Sequence, residues 1–344
     1  MLIAFTTLKK ILIIQTASIG DVILSTPVLE KLHKFYPDSK IDFLLKKENK
    51  SLLKEHPFLN KILIWDKKQN KYKNLFNIIK QVRANKYDYV INIQRFASSG
   101  LITVLSGAKA IIGFNKNPFS FLFTKSVKHI IGTKQHHRHE AERNLELIKD
   151  ITDNKICPVN IKLYPSDKDY AYTKQYKNSE YLCIAPTSLW WTKQYPEKKW
   201  IEFIKEVNTK YKIYLIGSDK DYTACQNIIY KSECPNVQNL SGKLSLLHTA
   251  ALMKDAKMNF VNDSAPLHIA SAMNAPVTAI FCSTIPEFGF GPLSENSNII
   301  ETKKTLNCRP CGLHGLKKCP EKHFNCAYTI DKKQLLNSIK YKND

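Results

Sequence analysis

The chain predicts an α/β protein made of two doubly wound domains, each a parallel sheet covered by helices. Three observations carry this. Short apolar runs alternate with amphipathic stretches along nearly the whole length. Several of those runs are continuously apolar instead of alternating, as strands buried on both faces of a parallel sheet require. And 344 residues are too many for one ordinary core but suit two domains.

Taken in order, strands are expected at ILIIQ (11–15), KIDFLL (40–45), KILIW (61–65), YDYVINI (87–93) and AIIGF (110–114). Helical spacing links them in VILSTPVLEKLHKFY (22–36), NLFNIIKQVRANK (74–86) and HEAERNLELIKDI (139–151). The alternation pauses over 152–180, a polar and partly helical stretch with two prolines. It resumes with strands YLCIAP (181–186), KIYLIG (212–217), MNFVN (258–262) and PVTAIF (276–281), and with helices EKKWIEFIKEVN (197–208), LLHTAALMKDA (246–256) and APLHIASAMN (265–274). The boundary is placed near 160–178, giving an N-terminal domain over 1–165, a C-terminal domain over 178–330 and a final helical segment over 331–344. SDKDY occurs twice (166–170 and 218–222); each copy fits a capped helix start, and the repetition is read as coincidence.

Composition narrows the class. Hydrophobic content is 43% and no window approaches the ~18 apolar residues of a membrane span. MLIAFTTLKKILIIQ has neither a basic start nor a small-residue cleavage site, so it reads as the first strand and the protein is expected in the cytoplasm. Nine cysteines without an export signal argue against a disulfide framework; Cys157, Cys183, Cys225, Cys234 and Cys282 are expected to be buried small residues. The net charge of +22 comes mostly from lysine. It reflects either a lysine-rich codon usage or attraction to an anionic partner such as nucleic acid, a membrane face or a phosphorylated substrate.

Ligands of open α/β sheets bind beyond the carboxyl ends of strands, so the residues following each strand carry the candidate chemistry. After ILIIQ comes TASIGD (16–21), where Ser18, Gly20 and Asp21 turn the chain into a helix. No glycine-rich dinucleotide fingerprint or P-loop is present. Asp21 is either a helix cap or a general base, since a helix N-terminus keeps a carboxylate ionised. After YLCIAP come Thr187, Ser188 and Lys193, two hydroxyls and a cation able to hold a phosphate; the alternative is an ordinary loop with an exposed lysine. Trp190 and Trp191 would form a lid or pin that loop. After MNFVN come Asn262, Asp263 and Ser264 at the head of a helix carrying His268. The N–H groups of Ser264, Ala265 and Leu267 are expected to be open there, a second anion site; His268 is either a core histidine or a ligand contact. Two D-x-D triplets (Asp167/Asp169 and Asp219/Asp221) are set aside as chance patterns. Cys308, Cys311, Cys319 and Cys326 are spaced C-x2-C-x7-C-x6-C with His314 and His323 between them, which suggests a structural Zn²⁺ site or a set of reduced thiols.

Together IGDVILSTPVLEKL (19–32), SLWWTKQYPEKKW (188–200), IGSDKD (216–221), the long block 239–281 and the cysteine-rich tail resemble the ADP-heptose:lipopolysaccharide heptosyltransferases, glycosyltransferase family 9. The tail and FGFGP (288–292) lean toward the heptosyltransferase II type. The resemblance implies a GT-B fold, two Rossmann-like domains facing across a cleft, with the last helix packing back on the N-terminal domain. It implies an inverting, metal-independent transfer from ADP-heptose to a lipopolysaccharide core or lipid-linked acceptor, with no cofactor required for catalysis. Asp21 then matches the base, with Ser18 and Gly20 in the acceptor-side loop; Lys193, Thr187 and Ser188 match the diphosphate loop; and Asp263, Ser264, Ala265 and His268 match the second donor-side segment. The family usually has glycine where this chain has Ala265, so strain is expected there if the glycine has positive φ. The charge then suits peripheral contact with the anionic inner membrane face. Rival expectations are a GT-B enzyme using a UDP- or GDP-sugar, and a basic nucleic-acid-binding protein with a zinc module. Against the second, the tail lacks a C2H2 pattern and basic residues are spread along the chain, so no nucleic-acid partner is expected.

Overall fold

The computed structural model describes residues 8–133, 137–153 and 159–340. Cys157 and the outermost residues of the expected first and last segments lie outside the described residues. The chain divides into two compact units, Met1–Ile131 with Arg138–Tyr164, and Gly132–His137 with Pro165–Asp344.

The first unit is a six-stranded sheet in which every pairing is parallel. Its strands are β1 (Lys10–Ile14), β2 (Lys40–Lys46), β3 (Lys61–Trp65), β4 (Tyr89–Asn92), β5 (Ala110–Phe114) and β6 (Lys125–Val127), in the order β3-β2-β1-β4-β5-β6. Ile11 to Ile14 of the central strand are fully buried, which is why that run carries no alternation. The expected single helix over 22–36 is two: α1 (Ile19–Ile23) and α2 (Thr26–Phe35). Pro27 cannot donate into a continuing helix, and the Ser25 and Thr26 hydroxyls donate back to the carbonyls of Val22 and Ile23 at 2.7 and 2.8 Å. The freed Leu24 carbonyl accepts from the Asn144 side chain at 3.0 Å. Asn144 sits on α5 (Glu140–Glu146), which follows α3 (Lys71–Ala84) and α4 (Ala97–Val104).

The second unit repeats the plan. Strands β7 (Tyr181–Ala185), β8 (Lys212–Leu215), β9 (Val237–Asn239), β10 (Met258–Asn262), β11 (Val277–Phe281) and β12 (Ser297–Glu301) pair in the order β12-β11-β10-β7-β8-β9, again all parallel. Counted from its own first strand this is the permutation of the first sheet. Each sheet therefore has one switch point, between β1 and β4 and between β7 and β10, where successive crossovers leave in opposite directions.

The second unit's helices are α6 (Asp167–Thr173), α7 (Glu197–Val207), α8 (Tyr222–Ser232), α9 (Leu246–Lys254), α10 (Ala265–Ala272), α11 (Asn325–Tyr328) and α12 (Lys332–Lys340). Trp200, Phe203, Ile204 and Val207 place one face of α7 in the core. Both SDKDY copies form capping boxes, Ser166 with Asp169 and Ser218 with Asp221. Those bonds give the second aspartate of each D-x-D triplet a structural task. Leu335 of α12 is fully buried in the core of its own unit, beside α7 and β12. Among the described residues no helix is long and apolar enough to cross a membrane.

Candidate active site residues in each unit

At the first switch point Ser18 caps α1. Its hydroxyl donates to Asp21 Oδ2 at 2.6 Å, its N–H donates to the same oxygen at 3.0 Å, and the Asp21 N–H returns a bond to Ser18 Oγ at 3.4 Å. The cap reading is therefore correct as geometry. It uses one carboxylate oxygen, and among the described residues Oδ1 takes no hydrogen bond; Asp21 is half-buried and Gly20 beneath it is buried.

Beside this corner lies a chain of contacts the sequence did not single out. Lys67, just past β3, donates to the Thr16 hydroxyl at 2.7 Å and to the Thr16 carbonyl at 3.1 Å. Thr16 in turn donates to Gln94 Oε1, past β4, at 2.6 Å. Burial, with Lys46 and Lys71 nearby, lowers the Lys67 ammonium to about 8. Lys67 stands two residues past the strand KILIW, but a lysine in so lysine-rich a chain gives no signal until its partners are seen.

At the second switch point the loops after β7, β10 and β11 converge. Asn262 ends β10 and clamps the β7 loop. Its amide nitrogen donates to the carbonyls of Ala185, Pro186 and Thr187, and its oxygen accepts from the Tyr195 N–H at 2.9 Å. The clamp brings Lys193 to Asp263, with Nζ–Oδ2 2.6 Å. The Thr284 hydroxyl donates to the same oxygen at 2.6 Å. Asp263 is almost wholly buried, so the lysine and the hydroxyl together offset the cost of its charge. Thr187 and Ser188 remain half-exposed on the loop, whose Ser188 carbonyl is held by Gln194 at 2.8 Å.

The head of α10 gives one correction. The Leu267 N–H is not open; it donates to the Ser264 carbonyl at 3.0 Å. Ser264 and Ala265 carry the N–H groups that the helix leaves without intrahelical partners, and both residues are half-exposed. Ala265 is not among the positive-φ residues and opens the helix, so alanine carries no backbone strain there. His268 is buried on α10, its ring 6.4 Å from that of Phe290.

The cysteine-rich tail braces this loop. Thr192 exchanges backbone and hydroxyl bonds with Leu316, at 3.1, 3.2 and 2.7 Å, and its hydroxyl accepts from Ser283 at 2.9 Å. Arg309 donates to the carbonyls of Phe281, Cys282 and Thr284 and pairs with Glu301 at 2.6 Å. Trp191 lies over Phe324, ring centroids 4.5 Å apart, so it pins the loop to the tail. For the four tail cysteines the sequence leaves a zinc site and a set of reduced thiols both open. Among the described residues no three histidine, cysteine or acidic side chains gather as a ligand set. Cys326 is packed in the hydrophobic core, where burial and the neighbouring thiols of Cys311, Cys319 and Cys308 push its own thiol up to about 12. Cys311 Sγ donates to the Cys308 carbonyl at 3.3 Å. Burial and the neighbouring thiols raise Cys311 as well.

Twin doubly wound units with polar clusters at their switch points define a two-unit α/β enzyme of the GT-B class. The profile of glycosyltransferase family 9 (heptosyltransferase) matches residues 75–322, and the chain belongs to that family. The chain is 31% identical to lipopolysaccharide heptosyltransferase 3 of Escherichia coli over 77% of its own length and 81% of that protein's. The structure of E. coli ADP-heptose lps heptosyltransferase II superposes with a TM-score of 0.79 at 21% identity, covering 96% of this chain and 97% of that one. E. coli heptosyltransferase WaaC with ADP gives 0.75 at 18% identity, covering 96% and 99%. The expected lean toward type II thus meets a type II structure by fold and a heptosyltransferase 3 by sequence. The IGDVILSTP stretch lies before the profile match; the 239–281 block lies wholly inside it. The chain is a glycosyltransferase.

Proposed function

We propose that the protein moves a heptose from ADP-heptose to a lipopolysaccharide inner-core acceptor, in an inverting transfer that needs no metal, with Asp21 as general base. The observation that carries this is the Asp21 carboxylate. It is fixed by the capping box through one oxygen, while the other is left to accept a proton. In the proposed step the acceptor hydroxyl gives its proton to Asp21 Oδ1 as its oxygen bonds to the anomeric carbon. The bond from that carbon to the diphosphate oxygen breaks, ADP leaves, and a single displacement inverts the centre. Such a base contributes about 10²–10⁴-fold. Lys193 and the N–H groups of Ser264 and Ala265 would meet the charge developing on the diphosphate, the role a divalent cation plays elsewhere. Thr187 and Ser188 add hydroxyl donors, and His268, buried on α10, would stand on the donor side. Asp263 orients Lys193 and does not face the phosphates bare. Lys67 would take an acidic group of the acceptor. Support for the donor and acceptor classes comes from the relatives: one is a lipopolysaccharide heptosyltransferase, another was solved with ADP. The same reading places the enzyme in the cytoplasm, in peripheral contact with the anionic inner membrane face, and gives it no nucleic-acid partner.

A nucleotide panel tests the donor. ADP should raise the melting temperature of the wild type, and Lys193→Met should abolish the shift. Stabilisation by UDP or GDP, with none from ADP, would contradict the donor assignment.

A further inference from the structure

Basic residues are spread along the chain, yet residues 67–87 hold seven cations and no acid. Most of that stretch is α3. Ile78, Ile79 and Val82 on one side of the helix are buried in the first unit's core, with Leu75 packed beside them. A second face, about 100° round the helix from those residues, carries a stripe of a different kind. Tyr72 is 80% exposed and Phe76, one turn on, is 64% exposed. Lys71 Nζ lies 5.9 Å from the Tyr72 ring centroid and Lys80 Nζ lies 5.6 Å from that of Phe76. At 100° per residue, Tyr72, Phe76, Lys80 and Arg83 share one quadrant of the helix, with Lys73 at its margin. Lys68 is paired with Glu48 and Lys67 is turned to Thr16. Among the described residues Lys71, Lys73, Lys80, Arg83 and Lys86 form no ion pair. Leu105, 37% exposed where α4 ends, adjoins the stripe, since Arg83 donates to its carbonyl at 3.4 Å.

We propose that this outer face of α3 is a docking surface for an anionic lipid bilayer. The core already holds the helix's apolar side, so α3 lies on the membrane without inserting. Two aromatic rings reach the headgroup boundary, where a polar or amphipathic ring is favoured, and flanking lysines keep their ammonium groups among the phosphates while their stems cover apolar surface. Near an anionic surface each lysine or arginine contributes on the order of 1 kcal/mol, so a few act together where one would not. The choice of a bilayer over another polyanion rests on the proposed lipid-anchored acceptor, which would be presented at such a surface. A single-stranded nucleic acid is the competing polyanion.

Flotation of the full chain with phosphatidylcholine vesicles, with and without phosphatidylglycerol, tests the surface without requiring catalysis. The wild type should float only with the anionic vesicles and should be released as salt rises. Tyr72→Ser/Phe76→Ser and Lys73→Glu/Lys80→Glu should each lower vesicle partitioning by about tenfold or more. Both variants should melt as the wild type does and turn over a delipidated, soluble acceptor at wild-type rate, while losing turnover of acceptor embedded in vesicles. Wild-type partitioning that ignores phosphatidylglycerol, or folded variants that float as the wild type does, would overturn the proposal. So would tighter binding of single-stranded RNA than of vesicles, lost in the same variants. If no lipopolysaccharide acceptor is turned over at all while flotation behaves as described, the acceptor reading fails and the surface stands.

Discussion

Lys193 and Asp263 share one short contact with little exposure on either side chain, so removing either partner leaves the other with an uncompensated charge. Lys193→Met should destabilise the protein by about 3–5 kcal/mol in urea denaturation. Adding Asp263→Asn should return much of that loss without returning ADP binding. Equal stability loss in the single and double variants would mean that the pair is not coupled. Lys67 offers a pH test. Its folded value of about 8 lies below the free-lysine value of 10.5, because burial disfavours the ammonium. Below pH 8 both states are protonated and the burial cost is fully present. Between about 8 and 10.5 the unfolded chain holds a proton the folded one has released, so stability rises with pH. The stability difference between Lys67→Met and the wild type should therefore shrink across that window; a constant difference would remove Lys67 from the titration. At this scale the sequence was most readable where a residue follows a strong strand, as Asp21, Lys193 and Asp263 do. Thr284 and Lys67 hold comparable positions, but a threonine and a lysine in a lysine-rich chain carry no signal until their partners are seen.

The elements show the same gradient. Central strands such as β1 and β10 are buried on both faces and read directly as apolar runs. The edge strands β6, β9 and β12 did not, because each is short or half-covered and needs little apolar sequence. Helix α4 was also not singled out, and α8 only as the capped start at the second SDKDY. The broken α1–α2 pair was hidden because its apolar spacing continues across Ser25 and Thr26, whose side-chain bonds decide the break. The tail's part in bracing the loop after β7 was not legible either, since cysteine spacing does not say which loop the tail packs against. Gly315 tests that part. It has φ +75°, and a Cβ there would lie 3.0 Å from Lys193 Cγ and 3.1 Å from Thr192 Oγ1. Gly312 also has positive φ, +69°, with nothing near its Cβ position. Gly315→Ala should cost about 1–3 kcal/mol and weaken ADP binding. Gly312→Ala should carry the backbone cost alone and bind ADP as the wild type does. Equal ADP affinity in the two would mean that the tail does not position Lys193.

Across the whole molecule the two units carry one topology and different chemistry. The first switch point presents a capped carboxylate and a lysine relay; the second presents a lysine–aspartate pair and the open end of a buried helix. A helix start that could have held phosphate holds Asp21 in the first unit, while the phosphate-type features gather in the second. That division is what a base on one unit and a diphosphate site on the other would need. Asp21 is a cap by its geometry and a proton acceptor only under the proposed function, and the two roles can be separated. Ser18→Ala removes the cap hydroxyl and keeps the carboxylate, so it should cost about 0.5–2 kcal/mol of stability and leave most turnover. The most direct measurement is acceptor-dependent ADP release from ADP-heptose, with heptose-deficient core lipopolysaccharide, in the wild type, Ser18→Ala and Asp21→Asn. The account predicts release in the first two and a fall of about 10²–10⁴-fold in a folded Asp21→Asn. Release by Asp21→Asn at the rate of Ser18→Ala would contradict it, leaving Asp21 a helix cap and nothing more.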